Sequence, residues 1–207
     1  MTEKVAGKLY EITGQLFEIG HQLRQPNGYP FDAEMLKKHL QAAIEGKFYS
    51  NWMVWKTIQL GTGLKTADEF RRVLKSGEFR ISDWANDIMG KFGFTVSSFA
   101  ELDLAIVTVA ELGFPKGATR KEIYKRARSF GLELCPSEVG PQLRLQYRDQ
   151  PNGEWLFIAM EPIKDSGGVP YVFRVGRGGG GLWLRASDDY PGRVWGPGRR
   201  WVFALRK

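Results

Sequence analysis

The sequence predicts an α+β protein: a helical N-terminal hairpin, central helices with a short buried strand, and a mainly antiparallel C-terminal sheet. Three observations predict it. Apolar residues in the first 48 positions recur at helical spacing, helix caps punctuate the middle of the chain, and from about Leu132 the apolar period shortens to two. The domains on this reading are 1–48, the hairpin, and 49–207, an α+β domain whose antiparallel sheet begins near residue 132.

The N-terminal stripe consists of Val5, Leu9, Ile12, Leu16, Ile19 and Leu23, spaced alternately by four and three. Pro26, Asn27 and Gly28 end that helix. Asp32 caps a second one through Leu36, Leu40 and Ile44 to Gly46, with Phe31 placed to staple onto Leu36. The stripe either packs on the same chain or joins two chains as a short coiled coil, so a homo-oligomer through the N-terminal helix is one expected partner. Thr66 and Glu69 form a capping box that opens a helix through Phe70 and Leu74 to Gly77, and Ser82 caps another through Ile88 to Gly90. Leu102–Ala110 is dense in β-branched residues and reads as a buried strand. A second capping box, Thr119 with Glu122, opens a basic helix that stops at Gly131. Leu143, Leu145 and Tyr147 then alternate with Arg144, Gln146 and Arg148, and Asn152-Gly153 turns the chain back into Trp155–Met160, which predicts a hairpin. Tyr171–Arg177 and Leu182–Arg185 predict a second hairpin, and Arg200–Leu205 a closing strand.

Composition excludes several classes. Apolar residues are 43% and charged residues 26% of 207, the balance of a folded domain rather than a disordered or fibrous chain. No apolar run reaches the ~18 residues that span a bilayer, and the polar start MTEKVAGKLYEITG lacks a secretion-type core, so no membrane partner and a cytoplasmic location are expected. The single cysteine, Cys135, allows no internal disulfide. The net charge of +7 is local: residues 1–48 are neutral, whereas residues 166–207 carry eight basic and two acidic side chains. Such a field attracts phosphates or an acidic protein surface.

Motifs for catalysis are sparse. The run Gly178–Gly181 resembles a phosphate-binding loop, but LWLR follows it with the alternation of a strand, where a nucleotide loop requires a helix. It reads as a hairpin tip. Gly61-Thr-Gly-Leu-Lys-Thr66 has the wrong glycine spacing for a nucleotide loop, and Thr66 already serves as a cap. His21 and His39 are not spaced with Cys135 or with acids as metal ligands, and Cys135 reads as a buried structural thiol. Asp83, Asp87, Asp103, Glu133, Glu138 and Glu161 are the carboxylates a metal-dependent nuclease or other hydrolase would draw on, though the acid-plus-lysine strand pattern of such enzymes is not clear. No cofactor and no metal are expected.

The C-terminal basic stretch carries the functional signal. Arg174, Arg177, Arg185, Arg193, Arg199 and Arg200 interleave with aromatic residues including Trp183 and Trp195, and guanidinium groups beside flat rings pair with phosphates and stack on bases. Arg174, Arg177, Arg185, Arg193, Trp195, Arg199 and Arg200 are therefore the candidate nucleic-acid-binding residues of a non-enzymatic, sequence-independent binding module. The alternatives are a protein-interaction or oligomerising module and the hydrolase above. Strand alternation offers a plainer account of the same residues, with aromatics facing the core and arginines facing water. A competing winged-helix reading makes Ser137–Tyr147 a recognition helix and turns Arg144 and Arg148 towards DNA.

The segments FDAEMLKKHLQAAIEGKF, LGTGLKTADEFRRVL, RISDWANDIMGK, VTVAELGF and LELCPSEVGPQLRLQYRDQPNGEWLFIAMEPI together resemble a family of uncharacterised bacterial proteins over most of the chain. The resemblance implies a bacterial cytoplasmic protein. That family carries no established activity, so it assigns no role to any residue.

Overall fold

The computed structural model describes residues 52–205, together with Gly14, Phe17, Glu18, Gly20 and His21. The chain divides into two compact units, Met1–Phe48 and Tyr49–Lys207. The five described residues of the first unit are helical. The rest of the expected hairpin, including the second helix and its Asp32 cap, lies outside the described residues, and so does the oligomerising stripe.

The second unit overturns the expected fold class, because sheet dominates it throughout. In chain order its elements are β1 (Lys56–Leu60), α1 (Ala67–Ser76), β2 (Arg80–Ile81), α2 (Asp83–Met89), β3 (Ala100–Thr108), β4 (Ala118–Thr119), α3 (Arg120–Ser129), β5 (Leu132–Glu133), α4 (Val139–Gln146), β6 (Trp155–Ile158), β7 (Ile163–Lys164), β8 (Pro170–Arg177), β9 (Leu182–Asp188), β10 (Val194–Trp195) and β11 (Arg200–Leu205). Nine strands form one curled sheet of order β1-β3-β11-β6-β8-β9-β2, to which β5 adds on β11 and β7 on β8; β4 and β10 make a separate ribbon. The sheet is mixed, since β11 runs parallel to β6 and β2 parallel to β9.

Two local departures account for the correction. The sheet starts at Lys56 and not near residue 132, because β1 pairs with β3, and β3 in turn pairs with β11 across about half the chain, placing Ala105 opposite Phe203. Local periodicity does not reveal a partner that far away. The second departure is Leu143–Tyr147, which is not a strand: Val139–Gln146 is a helix. Its polar residues are anchors and not a solvated face. Gln142 donates to Thr62 and Glu138, Gln146 exchanges bonds with the backbone of Gln59, and Arg144 is buried with bonds to Gln150 Oε1 (2.5 Å), the Gly176 carbonyl (3.4 Å) and the Tyr147 carbonyl. A helix buried nearly all round loses the one-sided stripe that identifies helices, and Pro141 is tolerated because it falls in the first turn, where amides lack helical acceptors. The burial of Arg144 also removes the outward recognition surface that a winged helix would need.

The caps marked at Thr66, Ser82 and Thr119 do open helices. Thr66 accepts from the Glu69 amide while Glu69 accepts from the Thr66 amide, Thr119 and Glu122 do the same, and Ser82 accepts from the Ala85 amide.

Strand alternation gives the sheet two unlike faces. One side carries Tyr171, Phe173, Val175, Leu184, Leu156 and Ile158 and is covered by α1, α2 and α4. Helix α4 lies so close that a Cβ on Gly140 would stand 2.6 Å from the Phe173 ring. On the other side α3 and the β4–β10 ribbon cover Trp201 and Phe203, with Tyr124 edge-on to both rings. Among the described residues, no helix covers the part of this side formed by β6, β8, β9 and β2.

Candidate nucleic-acid interface

Register builds the open face row by row. Trp155 of β6 stands opposite Gly176 of β8, which stands opposite Trp183 of β9, which stands opposite Arg80 of β2. One step along the strands, Phe157 is opposite Arg174 and Arg174 opposite Arg185. Gly176 is bare for a reason visible in this row: a Cβ there would overlap the indole of Trp155, whose ring lies flat across the strand.

The result is a ladder of guanidinium groups and rings. Arg80 lies over Trp183 (5.3 Å to the ring centroid), Arg185 over Trp183 (4.1 Å) and Trp155 (5.0 Å), and Arg174 over Trp155 (4.8 Å) and Phe157 (5.9 Å). Arg199 approaches Phe157 from the far end (5.9 Å), and Arg193 covers Trp195 (4.6 Å). Each contact is a cation–π geometry that holds a charged group in a fixed place.

The charge on this face is only partly neutralised. Of the two acids of the C-terminal stretch, Asp188 pairs with Arg193 (2.6 Å) on the face itself, and Asp189 pairs with Arg120 and accepts from Trp195 Nε1 (3.3 Å). Among the described residues no carboxylate comes within ion-pair distance of Arg80, Arg174, Arg185 or Arg199. Among the described residues the side chains of Arg174, Arg185 and Arg199 also make no hydrogen bond, and the Nε atoms of Arg174 and Arg185 are buried without an acceptor. Burial holds the Arg174 guanidinium below its ordinary pKa, and the neighbouring charges of Arg185, Arg199 and Arg193 push the same way.

Of the residues the sequence nominates, Arg174, Arg185, Arg193 and Arg199 meet on this face. Arg177 points to the other side of β8 and donates to the Gln150 carbonyl (3.2 Å), and Arg200 is paired with Glu154 (2.7 Å). Trp195 is buried at 2% exposure, packed against Phe157 and Trp201, each at 4.8 Å between ring centroids, so its ring is not open to a base. Trp155 and Arg80 were not nominated. Both lie outside the basic stretch, and only their cross-strand partners bring them to the face.

The other motifs resolve into structure. Gly178–Gly181 is the β8–β9 turn, closed by the Gly178 amide on the Gly181 carbonyl (3.1 Å), with φ of 58° at Gly179 and 79° at Gly180. Gly61 donates to Glu138, and Thr66 caps α1. Cys135 is buried and donates to the Val202 carbonyl (3.5 Å); burial pushes its thiol far above the usual range, away from nucleophilic use. The carboxylates do not converge: Asp103 accepts from Thr57, Glu161 pairs with Arg128 and Asp87 with Lys91. Among the described residues no three His, Cys, Asp or Glu side chains group as metal ligands, and no helix is long and apolar enough to cross a membrane.

Fold and site together define a curled mixed sheet with α1, α2 and α4 on one side and, beside α3 and the β4–β10 ribbon, an arginine–aromatic face on the other. The chain matches no family model, no curated protein and no solved structure.

Proposed function

We propose that the protein binds single-stranded nucleic acid, without reading its sequence, on the open face of the sheet. The observation that carries this reading is the set of guanidinium groups of Arg174 and Arg185, lying over half-buried tryptophans, and of Arg199, beside Phe157, with neither carboxylate nor side-chain hydrogen-bond acceptor among the described residues. A guanidinium presents five donors, and phosphate oxygens are the acceptors that match them. Trp183 and Trp155 supply rings for unpaired bases, and every base has a flat face, so stacking is indifferent to sequence. The uncombined thiol of Cys135 suits the reducing cytoplasm of a bacterium.

Binding of a short single strand, measured against salt, tests this. Replacing Arg174, Arg185 and Arg199 together with alanine should flatten log affinity against log salt by about two to three units, because each lost phosphate contact releases fewer counterions. Trp183→Ala should cost roughly 1–3 kcal/mol of binding with the slope unchanged. Polyglutamate that displaces the strand at equal charge would point instead to an acidic protein surface. Absence of binding to DNA and RNA at about 50 mM salt would end the reading.

A further inference from the structure

At the edge of the sheet, beyond the last rung of the ladder, lies an open cleft of about 760 Å³ lined by Arg80, Arg148, Arg177, Asn152, Glu78 and the glycines of the β8–β9 turn. Three elements far apart in sequence bring one guanidinium each. Every one of them is held by a contact that leaves most of its donors without a partner among the described residues. Arg148 stacks on Phe79 at 4.7 Å, and Gly77 makes room for it, since a Cβ there would stand 3.2 Å from Arg148 Nη2. Arg177 gives one bond to the Gln150 carbonyl (3.2 Å), and Arg80 gives one to the Gly179 carbonyl (3.2 Å) while lying across Gly181, where a Cβ would meet its Nε at 3.0 Å.

These charges exceed what surrounds them. Glu78 is the one carboxylate among the lining residues, and among the described residues none of the three arginines is in an ion pair. Arg144 also lies over the Phe79 ring (5.3 Å), fully buried, and among the described residues it is bonded only to neutral oxygens and its Nε has no partner. Burial lowers it to about 10; Tyr147 opposes the shift, and the proximity of Arg148 and Arg177 adds to it. Like charges gathered at a cleft mouth raise the free energy of the empty site, and a dianion relieves it.

We propose that this cleft captures a terminal phosphomonoester of the strand bound on the ladder, with Arg148 and Arg177 as its principal ligands and Arg80 shared between cleft and ladder. The inference deepens the reading above and rests on it. Arg80 supplies the continuity, because its guanidinium lies on Trp183, the outermost ring of the ladder, while it also lines the cleft. A terminal phosphate carries nearly two charges and three free oxygens, against one charge and two free oxygens for an internal diester, so three converging guanidiniums discriminate between them.

The test uses the full chain and internally labelled short single strands of one sequence ending in a 5′-phosphate, a 3′-phosphate or hydroxyls. One phosphorylated strand should bind roughly tenfold more tightly than the hydroxyl-ended strand, a difference that charge-assisted bonds readily supply. Arg148→Gln and Arg177→Gln, both at exposed positions outside the ladder, should each remove most of that preference and leave the hydroxyl-ended strand bound as before. Inorganic phosphate should erase the preference without displacing the hydroxyl-ended strand. Equal affinity for all three strands would overturn end capture while leaving the ladder reading in place. A preference that survives both substitutions would overturn the cleft as its seat. Failure of every strand to bind would remove the ladder reading, and end capture with it.

Discussion

The two faces of the sheet bury polar groups on opposite terms. Under the helices, Glu138 accepts from the Gly61 amide (2.9 Å), the Ser97 amide (2.7 Å) and Gln142 Nε2 (2.8 Å), and Gln142 and Gln146 extend that network to Thr62 and Gln59. On the far side, the buried Nε atoms of Arg174 and Arg185 have no acceptor among the described residues. Of the four buried side-chain nitrogens without an acceptor among the described residues, Arg174 Nε, Arg185 Nε and Trp201 Nε1 belong to the ladder side. A polar group left unmatched in a folded chain costs free energy that packing alone does not return, and an interior usually avoids it. Where the omission is repeated at adjacent rungs, in side chains that are themselves only half-buried, it marks a surface built for acceptors that come from outside.

The largest expected effects come from rings that hold each face to its cover. Phe173→Ala opens a cavity beneath α4, and Trp195→Ala opens one beneath the β4–β10 ribbon; each should cost about 3–5 kcal/mol of stability in urea denaturation. A Trp195→Ala protein that keeps its stability but binds strands weakly would reverse the comparison and return Trp195 to the binding surface. A smaller effect separates the ladder from ordinary packing. Gly176→Ala forces the Trp155 ring off the strand and should cost about 1–3 kcal/mol, together with a loss of strand affinity. The same change in a Trp155→Ala background should be nearly neutral, and additivity of the two would show that the ring does not rest on Gly176.

The smallest expected effect lies outside the ladder, at the start of α3, and serves as the control. Thr119→Ala should lower stability by about 1 kcal/mol and leave strand binding intact. Its partner Glu122 is held below the usual glutamate range, first by the Thr119 hydroxyl and then by the Thr119 amide. The folded state therefore binds that proton less readily than the unfolded chain. Its contribution is present above the unfolded value of 4.5 and is lost as pH falls through the folded one. The melting-temperature gap between wild type and Glu122→Gln should accordingly close on acidification below pH 4.5.

Legibility followed the range of the interaction. Caps at Thr66, Ser82 and Thr119 are contacts between residues three apart, and the β8–β9 hairpin is closed by a four-glycine turn, so both could be read along the chain. Helix α4 was misread as a strand because Gln142, Arg144 and Gln146 owe their polarity to partners scattered from Gln59 to Gly176. The candidate site divides in the same way. The basic, aromatic character of residues 171–203 was plain, whereas the separation of Arg174 and Arg185 from Arg177 and Arg200 required the strands to be paired and their faces assigned.

By itself the sequence determined the capped helix starts, the C-terminal hairpin and the excess of arginine over acid, since each depends on neighbouring residues or on composition. Only the tertiary structure decided that β3 joins β1 to β11, that Trp155 and Arg80 complete the ladder, that Trp195 is core, and that Arg80, Arg148 and Arg177 share one cleft. The physical reason is that strand pairing satisfies backbone donors and acceptors across any sequence distance. Which side chains become neighbours is then set by register, a property of two strands together that neither strand encodes alone.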